Sequence, residues 1–273
     1  MTSTKVFLVG AGPGDPELLT LKAFRLLQDA DVILHDSLID PRILGLVRAG
    51  ARRIDVGKRC GRHSMSQSEI CRLLVAEALQ GHRVVRLKGG DPMIFGRATE
   101  EMEALAAHGI TYEIVPGVTT ATAAAAALRL SLTQRRVSRS LHILTGHGAD
   151  GNLPPHDWTA LVNSGGTLAV YMGAETLSGL ATHFIEAGMN PSTPAIAIEN
   201  VSRPDERSIR GTIASLPFKL EQAASGSPTL ILVGEALREE IVQLPCEDAS
   251  EADGLSSLFP NQTERVSSVP ILS

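Results

Sequence analysis

The chain has 273 residues, of which 43% are hydrophobic and 20% are charged, which is typical of globular proteins and unlike disordered or fibrous ones. The net charge of −5 leaves no positive excess to bind a nucleic-acid backbone. No apolar run reaches the roughly 20 residues that span a bilayer, and the three cysteines lack the C-x-x-C spacing of a zinc site. We therefore expect a cytoplasmic protein without a metal, a membrane or a nucleic-acid partner.

Apolar runs of strand length alternate with segments of helical period from the N-terminus onward, a pattern typical of parallel sheets covered by helices. The helical segments include Glu17–Gln28 and Ser68–Leu79. Ser66 or Ser68 is the expected N-cap of the second of these helices. Five strands are predicted in this half, namely Val6–Val9, Val32–His35, Arg53–Val56, Val84–Leu87 and Tyr112–Val115.

A second series of strands follows the alanine-rich predicted helix Thr119–Leu128. We place a boundary near Arg135–Arg139, which gives an N-terminal α/β subdomain over residues 1–135 and a C-terminal α/β subdomain over residues 136–244. Residues 245–273 have a polar composition without helical or strand period, which predicts a mobile tail. The strands predicted in the second series are Leu141–Thr145, Thr167–Met172, Ala195–Glu199, Ser208–Ala214 and Thr229–Val233.

Three unusual loops, two of them rich in glycine, follow strands of the first series. The first, Gly10–Pro16, carries two glycines of the dinucleotide fingerprint G-x-G-x-x-G, but Asp15 stands where the third glycine is needed. A nicotinamide oxidoreductase is therefore only an alternative. The other two loops are Lys88–Arg97 and Val115–Thr120. Because ligands of open α/β sheets bind at the carboxyl ends of the strands, the three loops together predict one binding crevice.

Several short motifs occur one after another along residues 5–240. They are Val9–Thr20, Val56–Arg59, Val85–Pro92, Ile94–Arg97, Val115–Thr119, Tyr171–Gly173, Glu199–Asn200 and Pro228–Leu230. In identity, order and spacing these motifs resemble the tetrapyrrole methylase superfamily, and within it the enzymes that C-methylate uroporphyrinogen III. The resemblance implies a tetrapyrrole methylase fold of two α/β subdomains, with S-adenosylmethionine bound in the cleft between them, and a homodimer.

The activity that the resemblance implies is methylation of uroporphyrinogen III at C2 and C7, which gives precorrin-2 and S-adenosylhomocysteine. Some relatives carry fused dehydrogenase or chelatase segments, and for this chain we expect methylation alone. A later precorrin methyltransferase of the cobalamin pathway and a non-enzymatic tetrapyrrole-binding module stay open as alternatives. Whether the product would feed cobalamin, sirohaem or haem d1 is not encoded in any residue that we recognise.

The same resemblance implies a set of site residues. The cofactor contacts carry over to Pro13, Gly89, Gly90, Asp91, Ile94, Thr119, Thr120, Met172, Val201 and Thr229. Asp36 and Lys58 correspond to the acid–base pair. Taken alone, Asp36 would equally suit a helix cap and Lys58 a solvated surface position.

The substrate carries eight carboxylates, so its site requires basic side chains. Arginine binds a carboxylate through two parallel hydrogen bonds, which favours it over lysine in this role. The basic residues near the predicted crevice are Lys58, Arg59, Arg62, Arg86, Lys88, Arg97, Arg135, Arg136 and Arg139. Among them we expect Arg59 and Arg97 to contact the substrate.

Overall fold

The computed structural model describes residues 5–57, 65–148, 151–223 and 225–238. The strands are β1 Lys5–Gly10, β2 Val32–His35, β3 Arg52–Asp55, β4 Val84–Lys88, β5 Thr111–Val115, β6 Leu141–Thr145, β7 Thr167–Tyr171, β8 Pro194–Glu199, β9 Arg207–Thr212 and β10 Thr229–Val233. The helices are α1 Leu21–Asp29, α2 Pro41–Gly45, α3 Gln67–Leu79, α4 Ala98–Ala107, α5 Thr120–Leu128, α6 Trp158–Asn163, α7 Leu177–Glu186 and α8 Leu216–Gln222. The predicted α/β class is confirmed, whereas the tail at 245–273 lies outside the described residues.

The first five strands form one sheet in the order β3-β2-β4-β1-β5, and all its strand pairs are parallel. Both faces of this sheet are covered, because alternate residues of each strand enter different apolar clusters. Phe7 and Val9 pack with α1 and α2 on one face, while Val6 and Leu8 pack with α3 and α4 on the other. Burial of both faces explains why the inner strands β1, β2 and β4 are mostly apolar in sequence, whereas the edge strands β3 and β5 carry more polar residues.

The last five strands form a second sheet in the order β6-β7-β10-β8-β9. Here the expectation of a mostly parallel sheet was wrong, because only β6 and β7 pair in parallel and the other three pairs are antiparallel. The physical reason is the short connection between β8 and β9, which reverses the direction of the chain. Residues 200–206 join β8 to β9 as a hairpin, and a connection this short cannot accommodate the crossover that parallel pairing requires.

Helix α5 packs its small residues against the second sheet. Ala121 and Ala124 are fully buried in a cluster with Leu230 and Leu232 of β10. The opposite face of β10 contributes to a separate cluster with α7 and α8. The alanine run of α5 is thus explained by close packing of a helix on a sheet. Within the described ranges, no helix has the length and apolarity needed to cross a membrane.

The N-terminus of the first helix differs from the expectation. The sequence predicts a helix from Glu17, but the chain forms a short 3₁₀ turn at Pro16–Leu18 and α1 begins only at Leu21. The reason is capping at two places: the Asp15 carboxylate accepts a hydrogen bond from the Glu17 amide, and the Thr20 hydroxyl accepts one from the Ala23 amide. Leu19 and Thr20, which are both extended, therefore separate the 3₁₀ turn from α1.

The expected N-cap of α3 is confirmed as Ser66. Its hydroxyl accepts a hydrogen bond from the Glu69 amide at 3.3 Å, and the Glu69 carboxylate accepts one from the Ser66 amide at 2.7 Å. This reciprocal pair satisfies two backbone donors that the first turn of a helix would otherwise leave without partners.

Ser66→Ala removes one half of this capping box, and we expect it to lower the free energy of unfolding by about 1 kcal/mol. The measurement is urea denaturation followed by circular dichroism. Arg72→Ala, at an exposed position of the same helix, is the control and should change stability by less than about 0.5 kcal/mol. Equal effects of the two substitutions would show that the cap does not stabilise α3.

Candidate active site

The backbones of the loops after β1, β4 and β5 lie in direct contact. The Gly12 amide donates to the Gly90 carbonyl at 3.1 Å, and the Gly90 amide donates back to the Gly12 carbonyl at 2.8 Å. A Cβ at Gly117 would lie 2.3 Å from the Gly90 oxygen, and one at Gly10 would lie 2.6 Å from the Gly117 nitrogen. Since no side chain fits between these loops, glycine is required at both positions.

Asp91 joins two of these loops through its side chain. One carboxylate oxygen accepts a hydrogen bond from the Met93 amide at 2.8 Å, and the other accepts one from the Gly117 amide at 3.0 Å. The carboxylate therefore fixes its own loop and ties it to the loop after β5. Both loops lie at the carboxyl edge of the first sheet, where the sequence predicts the crevice.

A cavity of about 650 Å³ lies between this edge and the loops of the second sheet. Every residue that the sequence analysis carries over as a cofactor contact lines it, together with Asp36. Arg97 does not line the cavity; its exposed guanidinium pairs with Glu100 at 3.0 Å. Lys58 and Arg59 lie outside the described residues.

Tyr171, at the end of β7, connects the second sheet to the cavity. Its hydroxyl lies 2.6 Å from the Thr119 hydroxyl and accepts a hydrogen bond from the Ala121 amide at 2.9 Å. The ring packs against Phe95, with 5.4 Å between centroids. Burial raises the pKa of Tyr171, so the phenol stays protonated well above neutral pH. This residue orients the N-terminal end of α5.

On the opposite wall, Asn200 positions the segment that leads into β10. Its side-chain amide donates to the Asp205 carboxylate at 2.8 Å and to the Ser227 hydroxyl at 3.1 Å. The preceding Glu199 forms an ion pair with Arg207 and accepts a hydrogen bond from Ser225 at 2.8 Å. The Arg207 guanidinium lowers the pKa of Glu199, which therefore stays ionised at neutral pH.

Three side chains of the cavity wall have left-handed backbone conformations. The φ angles are 50° at Phe95, 54° at Met172 and 50° at Asn200. Such angles are unfavourable for residues other than glycine, and they concentrate at binding and catalytic sites. The surrounding structure thus holds these three side chains in place against a local backbone preference.

Asp36 follows β2 and reaches the cavity with its side chain 31% exposed. One of its carboxylate oxygens is bonded to the guanidinium of Arg86, which projects from the neighbouring strand β4. Arg86 itself is only 2% exposed. The placement of Asp36 is therefore determined by an ion pair with a buried partner and not by capping of α2, whose N-cap is Asp40.

The loop between β8 and β9 also contacts the loops of the first sheet. The Ser202 hydroxyl accepts a hydrogen bond from the Asp15 amide at 3.0 Å, and the Arg203 guanidinium donates to the Leu38 carbonyl. Arg203 and Leu38 both line the cavity. These contacts close the side of the cavity on which Asp36 lies.

Several residues of this site were not predicted from the sequence. Tyr171 lies in a quoted motif but was given no role, and Asn200 was treated likewise. Arg203 lies just beyond these motifs, and nothing in its spacing distinguishes it. Arg86 and Lys88 were named among the basic residues near the crevice without a role, and they are 2% and 3% exposed and pair with a buried carboxylate. Arg86 lies between two apolar residues of a predicted strand, and this was the signal in the sequence that its side chain is buried.

Comparison with known proteins agrees with this geometry. The family model of the tetrapyrrole (corrin/porphyrin) methylases matches residues 5–217. The chain belongs to this family. The tetrapyrrole methylase fold, the resemblance and the methyltransferase class expected from the sequence are thereby confirmed.

Curated relatives of this tetrapyrrole methylase include a siroheme synthase of Gluconacetobacter diazotrophicus, 45% identical over 89% of the chain, and one of Azotobacter vinelandii, 48% identical over 86%. The chain spans about half the length of these relatives, 52% and 50% respectively.

Two solved structures resemble this methylase closely. One is a cobalt precorrin-4 methyltransferase with a TM-score of 0.78 and 31% identity, covering 86% of this chain and 97% of the other. The second is a uroporphyrin-III C-methyltransferase of Thermus thermophilus complexed with S-adenosyl homocysteine, with a TM-score of 0.73 and 38% identity, covering 86% and 99%.

Gly117→Ala places a methyl group against the Gly90 carbonyl, so we expect it to lower the free energy of unfolding by about 3 kcal/mol. Thermal and urea unfolding would measure the change. Gly45→Ala is the matched control, because a Cβ at that position meets nothing within 4 Å, and it should change stability by less than about 1 kcal/mol. A Gly117 variant as stable as the parent would contradict the proposed contact.

Proposed function

We propose that the chain transfers methyl groups from S-adenosylmethionine to C2 and C7 of uroporphyrinogen III, giving precorrin-2 and S-adenosylhomocysteine. The observation that carries the proposal is that all the expected cofactor positions line the same cavity as Asp36. The uroporphyrin-III C-methyltransferase of Thermus thermophilus, whose structure holds S-adenosyl homocysteine, supports it. The siroheme synthases among its relatives point to the same substrate.

The cavity has the size and lining that such a cofactor needs. Its volume of about 650 Å³ lies within the range of about 300–1,000 Å³ that is usual for small-molecule sites. Ile94, Val201 and Leu230 supply apolar surface, and Gly89 leaves open space because a Cβ there would meet no atom within 4 Å. In the proposal the adenosine and methionine parts contact these residues and the backbone of the glycine loops.

The proposal extends to parts of the site and the assembly that rest on family resemblance. Lys58 is the proposed partner of Asp36 in the acid–base pair, and Arg59 and Arg97 are the proposed ligands of substrate carboxylates. The chain would divide near residue 135 into two subdomains, each built around one of the two sheets, and would act as a cytoplasmic homodimer.

The chemistry requires placement and one proton acceptor. Bound S-adenosylmethionine supplies a methyl group on a sulfonium, which is electrophilic enough to need no activation by the protein. The loops must hold a pyrrole carbon in line with that methyl group. Asp36 then accepts the proton that the methylated ring loses, through the carboxylate oxygen that Arg86 does not hold. Arg86 keeps this carboxylate oriented toward the cavity.

Asp36→Asn preserves the shape of the side chain and removes the proton acceptor. We expect kcat to fall by about 10²–10⁴-fold while the Kd for S-adenosylmethionine is unchanged, as measured by methyl-transfer assays and calorimetry. Asp29→Asn, an exposed carboxylate at the end of α1, is the control and should retain full activity. Full activity of the Asp36 variant would remove its catalytic role.

The substrate is tested by anaerobic incubation of the chain with uroporphyrinogen III and S-adenosylmethionine, followed by mass spectrometry. Two added methyl groups are the expected result. Cofactor binding without any methylation would contradict uroporphyrinogen III as the substrate.

A second candidate is a later precorrin methyltransferase. The specific observation in its favour is the TM-score of 0.78 to the cobalt precorrin-4 methyltransferase, which exceeds that of 0.73 to the Thermus thermophilus enzyme. Sequence identity favours the opposite order, at 31% against 38%. A parallel incubation with a precorrin would separate the two candidates, because only one substrate should gain methyl groups.

A further inference from the structure

Four charged side chains form a cluster at the cavity, and we call Asp36, Arg86, Lys88 and Glu101 the buried charge cluster. Asp36 and Lys88 line the cavity, and Arg86 and Glu101 do not. Arg86, Lys88 and Glu101 are 2%, 3% and 0% exposed. They come from β4 and α4 and meet under the loop that carries Asp36. The catalytic proposal uses only Asp36 and its bond to Arg86, and it assigns nothing to Lys88 and Glu101.

Glu101 is the centre of the buried charge cluster. Its Oε1 atom accepts hydrogen bonds from Arg86 Nε at 3.0 Å, from Lys88 Nζ at 2.9 Å and from Gln67 Nε2 at 3.3 Å. Its Oε2 atom has no hydrogen-bond partner among the described residues. A carboxylate this deeply buried is costly unless cations compensate it, so its presence requires both neighbours.

The cluster holds two cations and two carboxylates, and each carboxylate interacts with both cations. Burial acts to lower the pKa of Arg86, but the charges of Asp36 and Glu101 outweigh burial and raise it. Burial, together with the charge of Arg86, lowers the pKa of Lys88 although Glu101 and Asp36 oppose the change. The four charges are therefore coupled, and removal of one changes the field at the other three.

We propose that Glu101 is a positioning residue for Asp36: it orients the Arg86 guanidinium against the Asp36 carboxylate and neutralises Lys88, so that Asp36 faces one uncompensated cation instead of two. The assignment of Asp36 as proton acceptor rests on the proposed function. The electrostatic relation between Glu101 and Asp36 does not, because it follows from contacts within the chain.

Other charged or titratable groups border the loop that carries Asp36. The His35 ring contacts the Asp36 carbonyl, Asp55 accepts a hydrogen bond from Ser37, and Arg203 donates to the Leu38 carbonyl. These three groups remain in all the variants described below. Differences between the variants therefore report on the buried charge cluster.

The test is a pH titration of the Asp36 carboxyl carbon by NMR in the full chain labelled at aspartate, with the signal assigned by its loss in Asp36→Asn. In Glu101→Gln, two cations without the Glu101 counter-charge act on Asp36, and we expect the titration midpoint to fall relative to that of the parent. In Lys88→Met the shift should have the opposite sign, because Glu101 is then left uncompensated. The double variant should return the midpoint close to that of the parent.

Glu103→Gln is the matched control, since it makes the same charge change at an exposed position of α4 and should leave the midpoint unchanged. If Glu101→Gln does not fold, the sign of the Lys88→Met shift and the return in the double variant still test the proposal. Unchanged midpoints in the folded variants would overturn it, and so would shifts of equal sign in Glu101→Gln and Lys88→Met.

The dependence of kcat on pH below neutrality is measured with uroporphyrinogen III on the same variants, and KM is measured separately. If the NMR midpoints shift as expected but the parent chain does not methylate, the positioning role stands and the proposed function fails. If the parent chain methylates and the midpoints do not move, the proposed function stands and the positioning role of Glu101 fails.

Discussion

The close approach of three backbone loops is the constraint on which the rest of the site depends. Gly10 and Gly117 lie so near one another and so near the Gly90 carbonyl that a Cβ on either would collide with backbone atoms of a neighbouring loop. Their contact gives the carboxyl edge of the first sheet a fixed floor. The Asp91 carboxylate stabilises this floor by accepting a hydrogen bond from the Gly117 amide. The second sheet can then complete the cavity, because the end of β7 and the start of β10 line it.

The parallel half of the fold could be predicted from the sequence because its three inner strands, β1, β2 and β4, are buried on both faces. The apolar run Val32–His35 was predicted with the bounds of β2, and the other four strands of this sheet differ by a residue or so. Strand direction in the second half could not be predicted in the same way. The pairing of β8 with β9 depends on a short connection, and apolar period alone does not distinguish a hairpin from a crossover.

Only those residues of the cavity that lie in recognisable motifs could be predicted from the sequence. The glycine loops carry residues whose spacing is specific, and all the carried-over cofactor positions line one cavity. The supporting charges have no such motif. Arg86 lies in the strand sequence Val85-Arg86-Leu87 and reaches Glu101 on a helix that comes after the next loop. Which of the nine candidate cations are buried depends on tertiary packing, and a single sequence does not reveal it.

The left-handed residues of the cavity wall have a consequence for engineering the protein. Phe95 and Met172 each keep a conformation that costs about 1–2 kcal/mol relative to glycine. Selection for heat resistance alone is therefore expected to favour glycine at these two positions, where it would relieve the backbone. The same change would delete two side chains from the wall. Mutant libraries designed for thermal tolerance should leave these residues unchanged, because a gain in melting temperature there would come from removing part of the cavity wall.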